Sequence, residues 1–374
     1  MGPIKIRPVE SARDRAAFMM MPWEIYGDCP NWVPPLLSDQ KSILDPAVGP
    51  FYRNGEVKLW LAERNGRPVG RISSHLSARH DQLIGGSKGY FGFFECEDNQ
   101  ETARALFEAA ETHLRSKART EVEGPYNFTI YDEIGILVDG FDTPPAIMVR
   151  HNPAYYQRLI ESLGYEKAVD WHAYRCEVSP TQLSERMGRI AMRIENRKEV
   201  NIREVNLRAY DQDARTVKRL FDLAWRQNWG HIPLSDEEFW YGAKGLKMLI
   251  VPGLSYIVEV KGEPIGIAIS VYDINPLIKR IDGRLLPFGF LRLMLGVKKM
   301  KRFRMLLMGV DPKHRGRGYE IAMYAKAIRK ATSLSFDEAE MSLILENNEP
   351  MMHSIQQLSS QLAKRLRIYR KDLC

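Results

Sequence analysis

The sequence predicts an α/β fold built twice over, because an opening strand, a glycine-turn hairpin and a strand-to-helix passage each occur once in either half. At 374 residues the chain is also longer than one hydrophobic core usually supports, so two domains of roughly 180 residues are expected. The opening strand Ile4-Lys5-Ile6-Arg7-Pro8-Val9 alternates apolar and polar residues with period two, and Val200-Asn201-Ile202-Arg203-Glu204-Val205 does the same. Residues 59–72 then read as strand, tight turn, strand, and so do residues 256–269. In each hairpin the turn glycine is followed two residues later by proline and two after that by glycine, at Gly66, Pro68 and Gly70 and again at Gly262, Pro264 and Gly266. Repeated turn chemistry of this kind marks a duplication rather than two chance hairpins.

The third repeated feature differs between the halves. In the first, the apolar strand from Tyr90 to Phe94 leads through an acidic, glycine-free turn, residues 95–100, into a helix at 102–111. In the second, Met308-Gly309-Val310 leads through Asp311-Pro312-Lys313-His314-Arg315-Gly316-Arg317-Gly318 into a helix beginning near Tyr319 and Glu320. Two glycines let the backbone approach a ligand, and the helix start offers free N–H groups and the positive end of its dipole. Lys313, Arg315 and Arg317 add charge, so this turn predicts a pyrophosphate cradle. The competing reading is a plain tight turn with a solvated basic face. Ile321, Tyr324, Ala325 and Ile328 form the apolar face that packs the helix on its sheet. Between the halves, Leu183, Met187, Ile190 and Ile194 at helical spacing predict a linker helix in 178–199, dividing a first domain, 1–177, from a second, 200–374.

Lysine and arginine number 54 against 47 acidic residues, a net charge of +7 that favours anionic partners: a polyphosphate cofactor, an anionic membrane surface or nucleic acid. No RNA-recognition motif or stacking platform is legible, which disfavours nucleic acid. Cys29, Cys96, Cys176 and Cys374 are scattered without a CxxC or Cys/His cluster, which argues against zinc and for no metal. No run approaches the roughly 18 apolar residues of a membrane span, and residues 1–10 lack a signal-peptide core, so a cytoplasmic protein is expected, peripheral at most to the inner membrane.

Taken together, the hairpin with its glycine–proline pattern, the strand ending in Gly309-Val310 and Arg315-x-x-Gly318 opening a helix resemble the GNAT superfamily of acyl-CoA-dependent acyltransferases, once per half. The resemblance implies two tandem GNAT-like domains, each a mixed, mostly antiparallel sheet flanked by helices. It also implies acyl-CoA bound by Met308, Gly309, Val310, Lys313, Arg315, Gly316, Arg317, Gly318, Tyr319, Asn347 and Asn348. Glu320 occupies a position the superfamily gives to a small residue, so its carboxylate faces either the phosphates or solvent. Residues 341–351 look like the next strand and the Asn347-Asn348 that begin the last helix, but Ser354 and Ile355 stand where a tyrosine acid is often found. The stretch Asn152-Pro153-Ala154-Tyr155-Tyr156, with Leu163-Gly164-Tyr165, resembles the same helix in the first half with its tyrosine intact. More narrowly, Gly124-Pro125-Tyr126-Asn127, Asn228-Trp229-Gly230 and Leu285-Leu286-Pro287-Phe288-Gly289 resemble a group of large tandem bacterial GNAT proteins that includes bacterial ceramide synthase.

Amide formation from a thioester and an amine needs a base for the ammonium and donors for the oxyanion. The candidates are Glu95 at a strand end, Tyr126, Asn127 and Tyr131 after Gly124-Pro125, His231 in an aromatic stretch, and Asp273 after the second hairpin. Loop carboxylates and turn residues are the plainer reading of each. Trp229, Asn275 and Phe288 are candidates for the acceptor. The segment 287–307, apolar and cationic with almost no acids, suits a membrane interface, an acyl-chain wall or a buried helix. The function expected is amide formation between a long acyl chain from coenzyme A and an amine such as a sphingoid base. The alternatives are a small-amine acetyltransferase, an aminoacyl-tRNA-dependent transferase and a catalytically inactive acyl-CoA-binding protein.

Overall fold

A computed structural model describes every residue except Met1, Asp28, Gln357 and Ser359. The chain forms two compact units that are not contiguous in sequence: Met1–Trp171 with Asn275–Arg292 and Lys364–Cys374, and His172–Ile274 with Leu293–Ala363. In order, the first half runs β1 (Ile4–Pro8), α1 (Ala12–Tyr26), α2 (Leu37–Ile43), β2 (Gly55–Arg64), β3 (Arg67–Ser77), α3 (Ala78–Ile84), β4 (Lys88–Cys96), α4 (Gln100–Ser116), β5 (Glu121–Gly124), β6 (Ile136–Asp139), α5 (Tyr155–Glu161) and β7 (Glu166–Glu177). The rest runs α6 (Glu185–Glu195), β8 (Val200–Glu204), α7 (Tyr210–Trp225), α8 (Asp236–Leu246), β9 (Tyr256–Val260), β10 (Glu263–Tyr272), α9 (Asn275–Arg280), α10 (Gly289–Gly296), β11 (Arg302–Val310), α11 (Tyr319–Ser333), β12 (Glu338–Leu345), α12 (Glu349–Gln356) and β13 (Gln361–Asp372).

Each unit is a mixed, mostly antiparallel sheet. In the first, β1 to β4 pair antiparallel in sequence, β4 pairs parallel with β5, and the chain's last strand, β13, returns to pair antiparallel with β5 and β6. In the second, β8 to β11 pair antiparallel and β11 pairs parallel with β12. The duplicated turns match in conformation: Asn65 and Gly66 have φ of 52° and 74°, Lys261 and Gly262 53° and 84°. Two consecutive left-handed residues are what a two-residue hairpin needs to follow the twist of its strands. Each hairpin also slips register beside its proline, Pro68 or Pro264, which has no N–H to give the ladder.

Helix α4 is capped by Asn99, whose side chain accepts from the N–H groups of Glu101 and Thr102, and it buries Leu106, Phe107 and Leu114 among Phe91, Phe94 and Tyr165. Helix α11 buries Ala322, Met323, Ala327 and Ala331 against Phe303, Met308 and Val310 of β11. The helical period in 178–199 emerges as α6, with Leu183 in the turn before it, and α6 packs on α11 within the second unit. The apolar, cationic segment 287–307 is not one helix. It is short α10, a single turn at Val297–Lys299 and the start of β11, because Phe303 and Met305 alternate with Arg302 and Arg304 and enter the core. No helix among the described residues is long and apolar enough to cross a membrane.

Candidate active site

The turn between β11 and α11 has the conformation that its glycines allow. Gly316 and Gly318 have φ of 71° and 89°, and Gly318, the residue preceding the helix, supplies no side-chain cap to the first turn of α11. The leading N–H groups of α11 are thus offered without a side-chain acceptor from that position. Lys313 and Arg317 are exposed beside them. Arg315 is used differently: its guanidinium donates to the carbonyls of Val310, at 3.2 Å, and of Ala224, so it ties the end of β11 to the end of α7. Gly318 also carries a packing constraint, since a Cβ there would lie 2.9 Å from Ile190 Cγ2 of α6. Gly316 faces open space. Tyr319, Met308 and Val310 are core residues, so their share in an anion site is main-chain only.

Glu320 is partly covered, and burial raises its carboxyl above the usual range. A hydrogen bond to its own backbone N–H and the nearby Arg315 charge oppose that shift.

Beside this turn β11 and β12 part. Their parallel pairing runs only from Arg302 opposite Glu338 to Met305 opposite Met341. At the same level the β10–β11 register slips between Ile269/Ser270 and Leu307/Met305, which leaves Leu306 as an extra residue whose backbone is free of the regular ladder. The charges at the paired end were not anticipated. Arg302 and Arg304 on β11 lie in register with Glu338 and Glu340 on β12, and Asp273, Arg175 and Ser342 join them. Asp273 pairs with Arg302. Arg304 donates to the carbonyl of Ser342 at 3.0 Å, Ser342 Oγ donates to Glu340 at 2.8 Å, and Arg175 approaches Glu340 at 3.5 Å. Arg304 and Glu340 are buried, and burial pulls Arg304 below the usual guanidinium range against the opposing charges of Glu340 and Asp273. The sequence signal was an Arg-x-Arg and a Glu-x-Glu interrupting two otherwise apolar strands.

In the first unit the equivalent strand end is filled. Glu95 is buried and accepts from the hydroxyls of Tyr26 and Tyr156, both at 2.8 Å, and from Arg150 at 3.1 Å, while Arg71 stands 3.6 Å away. Burial first, then the Glu95 charge, holds both tyrosines well above their ordinary range, so they remain donors. Burial alone would lower Arg150, but Glu95, Tyr26 and Glu133 raise it overall. Asn127 belongs to the same neighbourhood: its side-chain oxygen accepts from Phe93 N at 2.9 Å and its amide donates to partly buried Glu133 at 3.0 Å. Phe93 has φ of 48° where β4 slips register against β3. The bulge N–H of this unit is therefore already engaged by a side chain.

The remaining candidates are dispersed. Tyr126 is buried and donates to Glu123 at 2.8 Å, whereas Tyr131 is partly exposed near Thr129. Asp273 is fully buried in its pair with Arg302, and Asn275 donates to the Pro145 carbonyl at 2.9 Å. His231 is half-buried with its ring 5.6 Å from Phe221, and burial lowers it below the usual imidazole range. Trp229 is partly buried, Phe288 is exposed, Asn347 is exposed, and Asn348 accepts from Met351 N at 3.3 Å at the start of α12. Among the described residues no group of three or more metal-ligating side chains is assembled.

Two units of this topology, with a splayed parallel strand pair and a glycine turn at a helix start, define the class: the chain is an acyltransferase with a tandem GNAT-like fold. It belongs to the family of the bacterial ceramide synthase of Caulobacter vibrioides, to which it is 35% identical over 380 aligned residues covering 99% of this chain and 98% of that protein. Protein YghO of Escherichia coli is 31% identical over 374 residues, covering 98% of this chain and 95% of YghO. No family model matches the chain. Among solved structures, a tandem GNAT protein from the clavulanic acid biosynthesis pathway aligns over 100% of this chain and 99% of its own, with a TM-score of 0.58 and 12% identity. A GCN5-related N-acetyltransferase from Sphaerobacter thermophilus covers 100% and 97%, with a TM-score of 0.54 and 11% identity. At these identities the structural matches support the fold.

Proposed function

We propose that the chain transfers a long acyl group from coenzyme A to the amine of a lipid such as a sphingoid base, and does so at the second unit. The observation that carries the reading is the left-handed glycine turn, in which Gly318 supplies no side-chain cap to the helix start, with Lys313 and Arg317 exposed beside it. Those groups fit a pyrophosphate: main-chain donors at the start of α11 supply directed hydrogen bonds and the two cations supply charge. Acyl-CoA would bring an activated thioester. The parting of β11 and β12 gives it a slot, and the irregular backbone at Leu306 supplies an N–H suited to a developing oxyanion. The first unit, whose strand end is filled by Glu95 and its partners and whose turn lacks glycine, is left to the acceptor or to the framework. A relative named bacterial ceramide synthase, the excess of cations and the exposed apolar side chains near α10 support a lipid acceptor and a peripheral place at an anionic membrane.

Glu320 gives a prediction of its own. A carboxylate at the turn opposes the pyrophosphate, and its raised pKa means that falling pH protonates it sooner than an ordinary glutamate. Affinity for coenzyme A should therefore rise as pH drops through that carboxyl's titration. Glu320→Gln should tighten binding at neutral pH on the order of fivefold, about the effect of removing one nearby charge in a water-exposed setting, and should flatten the pH dependence. Calorimetric titration with coenzyme A at several pH values reads both. The activity itself is tested by incubating purified protein with acyl-CoAs of varied length and a panel of amines, with amides identified by mass spectrometry. Product restricted to acetyl-CoA and small water-soluble amines would overturn the lipid reading.

A further inference from the structure

The largest concentration of exposed apolar side chains lies in one short stretch. Leu286, Phe288, Phe290, Leu291, Met294 and Leu295 are all exposed, and the most extreme, Leu286, Phe288 and Leu295, keep 84%, 68% and 65% of their surface in solvent. Isolated exposed leucines are ordinary, but six within ten residues form a patch that a water-facing surface does not need. The stretch is anchored beneath. Ile281 and Gly289 are buried, Gly289 packs close to the Arg284 carbonyl, Phe290 N donates to the Leu285 carbonyl at 2.8 Å, and Arg292 N to that of Phe288 at 3.1 Å. The apolar side chains are therefore displayed by a held segment rather than by a loose one.

Its charge says what covers it. Lys279, Arg280, Arg284, Arg292, Lys298, Lys299 and Lys301 flank the patch and are exposed, against a single acid, Asp282. Asp282 is itself engaged, accepting from Trp23 Nε1 at 2.8 Å and lying 3.4 Å from Arg284. A protein partner or a second copy would be served by apolar contact with mixed charges. Apolar tips ringed by uniform positive charge match the acyl boundary and phosphate layer of a bilayer. We propose that residues 286–295 insert into the surface of an anionic lipid bilayer, with the flanking lysines and arginines on its headgroups. The proposal extends the lipid-acceptor reading, since a docked chain would take a water-insoluble amine from the bilayer, but its evidence is independent of any acceptor.

The test is flotation of the full chain with phosphatidylcholine vesicles, with and without phosphatidylglycerol, in the absence of substrates. Binding is expected only with phosphatidylglycerol, to weaken steeply with added salt, and to fall on the order of tenfold or more in the double variant Leu291→Glu, Leu295→Glu. Lys298→Glu with Lys299→Glu, which leaves the apolar side chains in place, should lose the preference for anionic vesicles. Sedimentation velocity of the same proteins without lipid tests the rival occupant. No vesicle binding, or a dimer that the leucine variants convert to monomer, would overturn the proposal. Amide production from a water-soluble amine is read separately: its presence without vesicle binding leaves the catalytic reading standing, and vesicle binding without any amide product leaves docking standing alone.

Discussion

Replacing Glu95 with alanine should lower the stability of the protein by about 3–5 kcal/mol, the range for removing one partner of a buried ion pair. The carboxylate is buried and serves four groups at once, Tyr26, Tyr156, Arg150 and Arg71, which come from α1, the start of α5, the stretch before it and β3. Its loss leaves two buried guanidinium groups without their paired carboxylate, with Glu133 as the remaining nearby counter-charge, and two phenols without this acceptor. Urea unfolding followed by circular dichroism measures the cost. Glu95→Gln should recover part of it, since the amide oxygen still accepts from one tyrosine. A catalytic Glu95 would give the opposite pattern, near-normal stability with activity lost.

The second large effect falls on the ligand and leaves the fold alone. Lys313→Glu combined with Arg317→Glu should weaken coenzyme A binding on the order of a hundredfold, because each substitution removes a charge-assisted contact and adds a repulsive charge. Both side chains are exposed, so the unfolding midpoint should stay near that of the parent. Gly318 is a poorer probe. A side chain there meets Ile190 and must accept φ of 89°, so it would disturb the α6–α11 packing as well as a ligand. A hundredfold loss in the double variant with an unchanged midpoint supports the cradle. An unchanged affinity would place the coenzyme elsewhere.

What could be read from the sequence was local. The hairpin turns were legible because left-handed backbone favours glycine, and Gly66 and Gly262 meet that demand alike, whereas Lys261 adopts φ of 53° where the first turn has asparagine. The glycine turn before α11 was legible for the same reason. Glu95 was seen as a polar group at the end of an apolar strand, but its partners lie 55 and 61 positions on and 69 positions back, and no local pattern reports them. The return of β13 to β5 and β6 was hidden likewise, because strand pairing depends on where the chain comes back. The Arg302–Glu338 and Arg304–Glu340 rungs lay between these cases. Two arginines and two glutamates at period two in adjacent strands could have been matched once parallel pairing of those strands was assumed.

If the duplicated fold keeps one coenzyme site, at the turn where β11 meets α11, amide hydrogen exchange with and without coenzyme A should show saturation at one equivalent, with protection concentrated at Gly316, Arg317, Gly318, Tyr319 and Glu320 and none at residues 95–100. Protection at residues 95–100, two equivalents bound, or no change at the α11 turn would contradict it.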